Sequence, residues 1–187
     1  MKRFYEMEIA GVKRSLPLCK LNDELYIGAF VMFGDVELTR ACASELLKIA
    51  PDYDYLITAE AKGIPLCYEM ARQRGDETYF VARKKPKLYM TGVLDVAVQS
   101  ITTKGEQHLY LDTAEAERMR GKRVLIVDDV ISTGESLYAV EQLLERAGAI
   151  VAGKLCVLAE GDARSRKDIG FLNPLPLFDQ NGDPIGA

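Results

Sequence analysis

The chain has 187 residues, with 28 acidic against 24 basic side chains, a net charge of −4 and 48% hydrophobic residues. That composition supports a folded core and excludes a disordered chain, and no apolar run approaches the ~18 residues that a membrane-spanning helix needs. Basic residues are scattered apart from those at 83–87, so nucleic acid is not expected as the main partner, because binding to a phosphate backbone needs a concentrated cationic face.

The first residues, MKRFYEMEIAGVKRS, interrupt every apolar stretch with charge. They lack the continuous apolar region of a secretory signal, and the expected location is the cytoplasm. Residues 1–36 read as short strands and turns. From 38 to 49 the apolar side chains Leu38, Ala41, Cys42, Leu46 and Ile49 recur at helical spacing, and Pro51 stops the helix. Tyr55–Ala59 is a short β-prone run, followed by Lys62 and Gly63 and by a helix over 65–74 that Gly75 ends. Residues 78–82 (TYFVA) predict a further strand. The segment 83–108 has weak β patterning and no helical period, and a connection of that length is expected to be a functional flap.

Residues 123–127 (RVLIV) form a continuous apolar run of the kind found in strands covered on both faces. Leu137, Val140, Leu143, Leu144 and Ala147 then make one stripe of a helix that Gly148 can close, and 150–158 supply another strand. Residues 173–187, with three prolines and two glycines, read as an extended C-terminal tail. Alternating strands and helices predict an α/β fold over 1–187, a single domain with a mostly parallel central sheet flanked by helices. Ligands of such sheets bind at the carboxyl ends of the strands.

Cys19, Cys42, Cys67 and Cys156 lie far apart with no C-x-x-C pair, which predicts reduced and mostly buried packing thiols. His108 is the sole histidine, so multi-histidine metal sites are excluded, and its expected place is an exposed loop.

The stretch that carries chemistry is 124–136, VLIVDDVISTGES. A buried strand is expected to end in two carboxylates, followed by a loop of hydroxyl residues and glycine that enters a helix. Asp128 and Asp129 can accept hydrogen bonds from the vicinal hydroxyls of a ribose. The loop Ser132, Thr133, Gly134, Glu135 and Ser136 can wrap a phosphate with backbone N–H groups and hydroxyls, at the positive end of the helix that follows. Neither a G-x-x-x-x-G-K-[ST] nor a G-x-G-x-x-G motif is present.

This stretch resembles the phosphoribosyl pyrophosphate (PRPP) signature of type I phosphoribosyltransferases. Residues 55–74, YLITAEAKGIPLCYEMARQR, are similar to the family's pyrophosphate loop and the helix after it, and 83–88, RKKPKL, to the RKxxKL stretch of the adenine enzymes. The resemblance implies the type I phosphoribosyltransferase fold, with a small N-terminal hood (1–36) and a mobile flap (83–108). It also implies that Asp128 and Asp129 hold the ribose, 132–136 the 5′-phosphate, and Ala61, Lys62 and Gly63 the pyrophosphate, with Arg83 and Lys87 at or beside it. The stretch Val31-Met32-Phe33-Gly34-Asp35 is similar to a hood segment whose aromatic covers the base, which makes Met32 and Phe33 the base candidates.

Such enzymes replace pyrophosphate at C1 of the ribose with a nitrogen of a base, through an oxocarbenium-like transition state. Mg²⁺ is the implied cofactor, held mainly through PRPP's own oxygens with no certain protein ligand. Related enzymes are commonly dimers, so a homodimer is implied. Two departures stand out: K-L-P-G reads Lys87-Leu88-Tyr89-Met90, and the flap's L-E-Y-G, with its catalytic glutamate, reads 101–105 (ITTKG) with Glu106 displaced. Enzymes for hypoxanthine and guanine carry an aspartate immediately before Thr-Gly, where this chain has Ser132. That favours adenine as the base. The alternatives are a phosphoribosyltransferase for xanthine, hypoxanthine or orotate, or a regulatory protein that senses PRPP or a nucleotide.

Overall fold

The computed structural model describes residues 2–99 and 106–185. The first strands, β1 (Phe4–Ile9), β2 (Val12–Lys20) and β3 (Tyr26–Gly28), form an antiparallel sheet whose first turn places Ala10 and Gly11 at positive φ. Helix α1 (Val36–Ile49) begins earlier than its apolar stripe because Asp35 caps it, accepting a hydrogen bond from the Leu38 N–H at 3.1 Å. Strand β4 (Tyr55–Ala59), helix α2 (Ile64–Arg74) and strand β5 (Phe80–Ala82) follow, close to the predicted positions.

Within the segment 83–108, expected to be a flap, the described residues from 93 on belong to two paired strands. Strand β6 (Val93–Gln99) pairs with β7 (Glu106–Asp112) in seven antiparallel registers, from Val93↔Asp112 to Gln99↔Glu106, and a short helix α3 (Thr113–Met119) follows. The 101–105 departure lies outside the described residues. His108 is therefore a strand residue, not a loop residue, with its ring stacked on Tyr110 at 5.7 Å.

Strand β8 (Arg123–Ile131) runs on past 127 and carries both aspartates within it rather than after it. Helix α4 (Glu135–Ala147), closed by Gly148 in the left-handed region, leads to β9 (Ile150–Glu160) and a 3₁₀ turn at Gly161–Ser165. The C-terminal stretch is not a free tail. Strand β10 (Gly170–Leu175) adds to the parallel sheet, while β11 (Leu177–Phe178) and β12 (Pro184–Ile185) complete the hood. Phe178 is fully buried, and its ring lies 4.9 Å from that of Tyr5.

The central sheet is five-stranded and parallel, in the order β10-β9-β8-β4-β5, and the hood sheet runs β1-β2-β3-β11-β12. Strand β8 is apolar on both faces because each face has its own core. Val124 and Ile126 join Leu137, Val140 and Leu144 of α4, whereas Leu125 and Val127 join Leu38 and Leu46 of α1 and Leu66 and Met70 of α2. Val96, Leu109 and Leu111 bring the hairpin into the first of these cores. Cys42, Cys67 and Cys156 are buried as expected, but Cys19 is exposed. Among the described residues no helix is long and apolar enough to cross a membrane.

Candidate functional site

Strand β4 stays in register with β8 only as far as Ile57↔Ile126, while β9 follows β8 to Ile131↔Ala159. Beyond Ile57 the β4 chain turns through residues 60–63 into α2, leaving the carboxyl end of β8 open on that side. A cleft of about 700 Å³ lies there. Its lining includes Ala61 and Lys62 from the turn, Asp128 and Asp129 from β8, Glu135 and Ser136 from the start of α4, and His108 and Tyr110 from the hairpin.

The two aspartates differ sharply. Asp129 is 2% exposed, and its Oδ2 lies 2.9 Å from Nζ of Lys62, which reaches across from the turn. Asp128 accepts a hydrogen bond from the Asp129 N–H at 2.8 Å, yet burial, followed by the adjacent Asp129 carboxylate, pushes its carboxyl up to about 8. A carboxyl held this high gains most from new donors that stabilise its charged form, and hydroxyl groups entering the cleft supply them.

Gly63 explains how the turn comes so close. A Cβ built there would sit 2.2 Å from Oγ1 of Thr58 and 3.3 Å from Oδ1 of Asp128, so only glycine lets the backbone lie against both. Before it, the peptide between Glu60 and Ala61 is cis. The Glu60 carboxylate accepts a hydrogen bond from the Lys84 N–H at 2.9 Å, and Nη1 of Arg83 and Nζ of Lys87 each lie 3.7 Å from its Oε1. Those partners, the Lys84 N–H first, hold Glu60 below the usual carboxylate range. Arg83 and Lys87 therefore gather at Glu60, and the cations that line the cleft beside Lys62 are Lys84 and Lys85.

Between β8 and α4 the loop 132–136 encloses a small cavity lined by Asp128 and residues 130–137. Gly134 stands at the start of α4 with φ +83 and no side-chain cap, which leaves the first N–H groups of the helix for a ligand. The Arg83 N–H donates to the Tyr110 carbonyl at 2.8 Å and the Tyr110 N–H to the Arg83 carbonyl at 2.7 Å, fastening the hairpin to the end of β5 beside the cleft.

The structure thus brings Ala61, Lys62, Asp128, Asp129, Glu135 and Ser136 into one cleft, places Ser132, Thr133 and Gly134 around the adjoining cavity, and sets Gly63 behind the carboxylates. It does not bring Met32 and Phe33 into the cleft lining. Met32 is buried in the core beside Leu38, and Phe33 is 52% exposed. Asp35 of the same stretch caps α1 and receives Nε and Nη2 of Arg14 at 2.6 and 2.9 Å. Lys84, Lys85, His108 and Tyr110 went unassigned in the sequence reading. Lys84 and Lys85 lie within RKKPKL itself, the one signal that could have found them, whereas nothing local in the sequence marks His108 and Tyr110.

A parallel sheet with helices on both faces and a ligand cleft over its carboxyl edge defines the class, an open α/β protein. The chain belongs to the phosphoribosyl transferase domain family, which it matches over residues 38–177, and it is a phosphoribosyltransferase. It is 38% identical over 131 residues to a hypoxanthine/guanine phosphoribosyltransferase of Methanococcus voltae, covering 70% of this chain and 66% of that one. It is 37% identical over 156 residues to that of Methanothermococcus okinawensis, covering 81% of each. Among solved structures, the adenine phosphoribosyltransferase of Thermoanaerobacter pseudethanolicus has the same fold, with a TM-score of 0.66 at 22% identity over 92% of this chain and 95% of that one. The enzyme of that name from Rhodothermus marinus gives 0.65 at 23% identity, covering 92% and 94%.

Proposed function

We propose that this enzyme transfers the 5-phosphoribosyl group of PRPP to a 6-oxopurine, hypoxanthine or guanine, forming a nucleoside monophosphate and releasing pyrophosphate. The observation that supports the choice of base is the identity of 38% over 131 residues and 37% over 156 residues to two hypoxanthine/guanine enzymes. The C1–O bond to pyrophosphate breaks with its electron pair staying on the pyrophosphate oxygen, a C1–N bond forms, and the N–H proton of the base passes to the released pyrophosphate or to water. Asp128 and Asp129 accept the ribose hydroxyls, residues 132–136 hold the 5′-phosphate, and Lys62, Lys84 and Lys85 neutralise charge on the departing pyrophosphate. Arg83 and Lys87, gathered at Glu60, support that wall. Among the described residues no three histidine, cysteine or acidic side chains stand together as a metal cage. The residues present suit a Mg²⁺ ion that arrives on PRPP, where it would lower the charge of the leaving group through the substrate's own oxygens.

A second reading, adenine as the base, is favoured by Ser132, which puts no carboxylate before Thr-Gly. Comparing kcat/KM for hypoxanthine, guanine, adenine, xanthine and orotate with PRPP and Mg²⁺ decides between them. Fastest use of hypoxanthine or guanine is the expected outcome. Faster use of adenine establishes the second reading, and PRPP binding without turnover on any base would make the protein a sensor.

A further inference from the structure

Arg166 follows the 3₁₀ turn after β9, far in sequence from the signature loop. Its Nε donates to Oδ1 of Asp168 at 3.0 Å and its Nη2 to Oδ2 at 2.7 Å. The same Oδ2 of Asp168 also accepts from Nζ of Lys154 at 2.7 Å, and that ammonium bonds Oε1 of Glu141, on α4, at 2.8 Å. A guanidinium is a rigid plane, so engaging one edge dictates where the remaining corner points. That corner is Nη1. It lies 2.5 Å from where a Cβ of Gly134 would stand, against the backbone of the phosphate loop itself.

A cation at this place is electrostatically out of order, because the start of a helix carries partial positive charge and favours anions. Asp168 offsets the charge of Arg166 without occupying Nη1. We infer that Arg166 is a side-chain ligand of the 5′-phosphate, closing from the β9–β10 side a site that residues 132–136 build from backbone. The inference rests on the reading of that loop as the phosphate site. Guanidinium matches phosphate oxygens well, and the chain Glu141–Lys154–Asp168–Arg166 ties its aim to the helix whose first turn faces the same anion. Gly134 is then needed twice, for its positive φ and for the room Nη1 takes.

The test is calorimetric titration of the full chain with ribose 5-phosphate and, separately, with pyrophosphate. Arg166→Gln should weaken ribose 5-phosphate about ten- to a hundredfold and leave pyrophosphate unchanged, with Arg166→Lys between it and the wild type. Asp168→Asn, which keeps the cation but frees the fork, should lose less than Arg166→Gln. The wild type should also lose ribose 5-phosphate affinity more steeply with added salt than Arg166→Gln does, a difference that a purely structural arginine would not produce. Equal affinity of wild type and Arg166→Gln for ribose 5-phosphate overturns the inference, as does an equal loss for both ligands. Gly134→Val separates the two readings. If it abolishes ribose 5-phosphate binding while Arg166→Gln does not, only the role of Arg166 falls; if it binds normally, the loop assignment falls and this inference with it.

Discussion

At the carboxyl edge of the parallel sheet, residues 124–136 supply a strand, two carboxylates, a glycine-bearing loop and a helix start without interruption, and the turn 60–63 closes the gap. The hood is built the opposite way, from β1 to β3 joined by β11 and β12, so that Phe178 pairs with Tyr26. The edge leaves polar groups facing a cleft and keeps an ionisable Asp128 at a charge-disfavouring place, whereas the hood buries Phe178 and Ile9 completely. One region tolerates electrostatic cost in order to bind; the other supplies packing. Variants in the hood should therefore change stability, and variants at the edge should change chemistry.

The largest expected effect is in the hood. Phe178→Ala removes a fully buried ring and should cost about 3–5 kcal/mol of stability, measured by denaturant unfolding. Its KM for PRPP, taken under conditions where it is folded, should match the wild type; a changed KM would mean that the hood reaches the site. At the edge, Gly63→Ala pushes a methyl group into Thr58 and toward Asp128, and should lower kcat/KM for PRPP about a hundredfold. Adding Thr58→Ala removes the oxygen in the way and should recover part of that loss, which a merely unfolded variant would not show.

Asp128→Asn comes next, lowering kcat/KM about ten- to a hundredfold by loss of a charged acceptor. Its stability should move the other way. Because the folded carboxyl is raised from 3.8 to about 8, the native state binds a proton that the unfolded state has released, so stability falls as pH rises from about 4 to about 8. Asp128→Asn should flatten that fall and melt higher than the wild type at pH 9, with little difference near pH 4. A lower melting temperature at both pH values would show that the carboxylate is satisfied in the folded protein. The smallest effect belongs to Phe33→Ala, expected within about 0.5 kcal/mol in stability because the ring is 52% exposed. KM for the base should hold within a factor of two, and a large rise would return Phe33 to the base site.

What was legible in the sequence follows the same division. The runs Tyr55–Ala59 and 123–127 announced buried strands because both faces are covered, and Gly148 marked the end of α4 because its left-handed conformation favours glycine. The strand, loop and helix start that carry Asp128, Asp129 and 132–136 were readable because they follow one another in the chain without interruption. The β6–β7 hairpin was not, since Val93 and Ala97 put apolar side chains on its outer face and blur the alternation with buried Val96. Pro174 disguised β10 as a tail; the strand lies at the sheet edge, bonded only to β9, where a missing N–H is tolerated. That Met32 is buried in the core could not be read from the stretch 31–35, because a pattern shared with a base-covering segment says nothing about which way a side chain turns. Arg166 gave no signal at all, since its meeting with Gly134 is made only by the fold.

The joining of distant strands in the hood bears on how the molecule assembles. Loop-closure entropy grows by about 0.6 kcal/mol for each doubling of length, so pairing β3 with β11 carries an entropic cost roughly 2 kcal/mol above that of a connection a tenth as long. The parallel sheet, whose neighbouring strands lie nearer in sequence, should become ordered first and offer β10 as a platform from which β11 reaches β3, at the edge of the waiting β1–β2–β3 sheet. Amide protons of β3 and β11 should accordingly gain protection after those of β8 and β9 during refolding, and in the native protein they should exchange first.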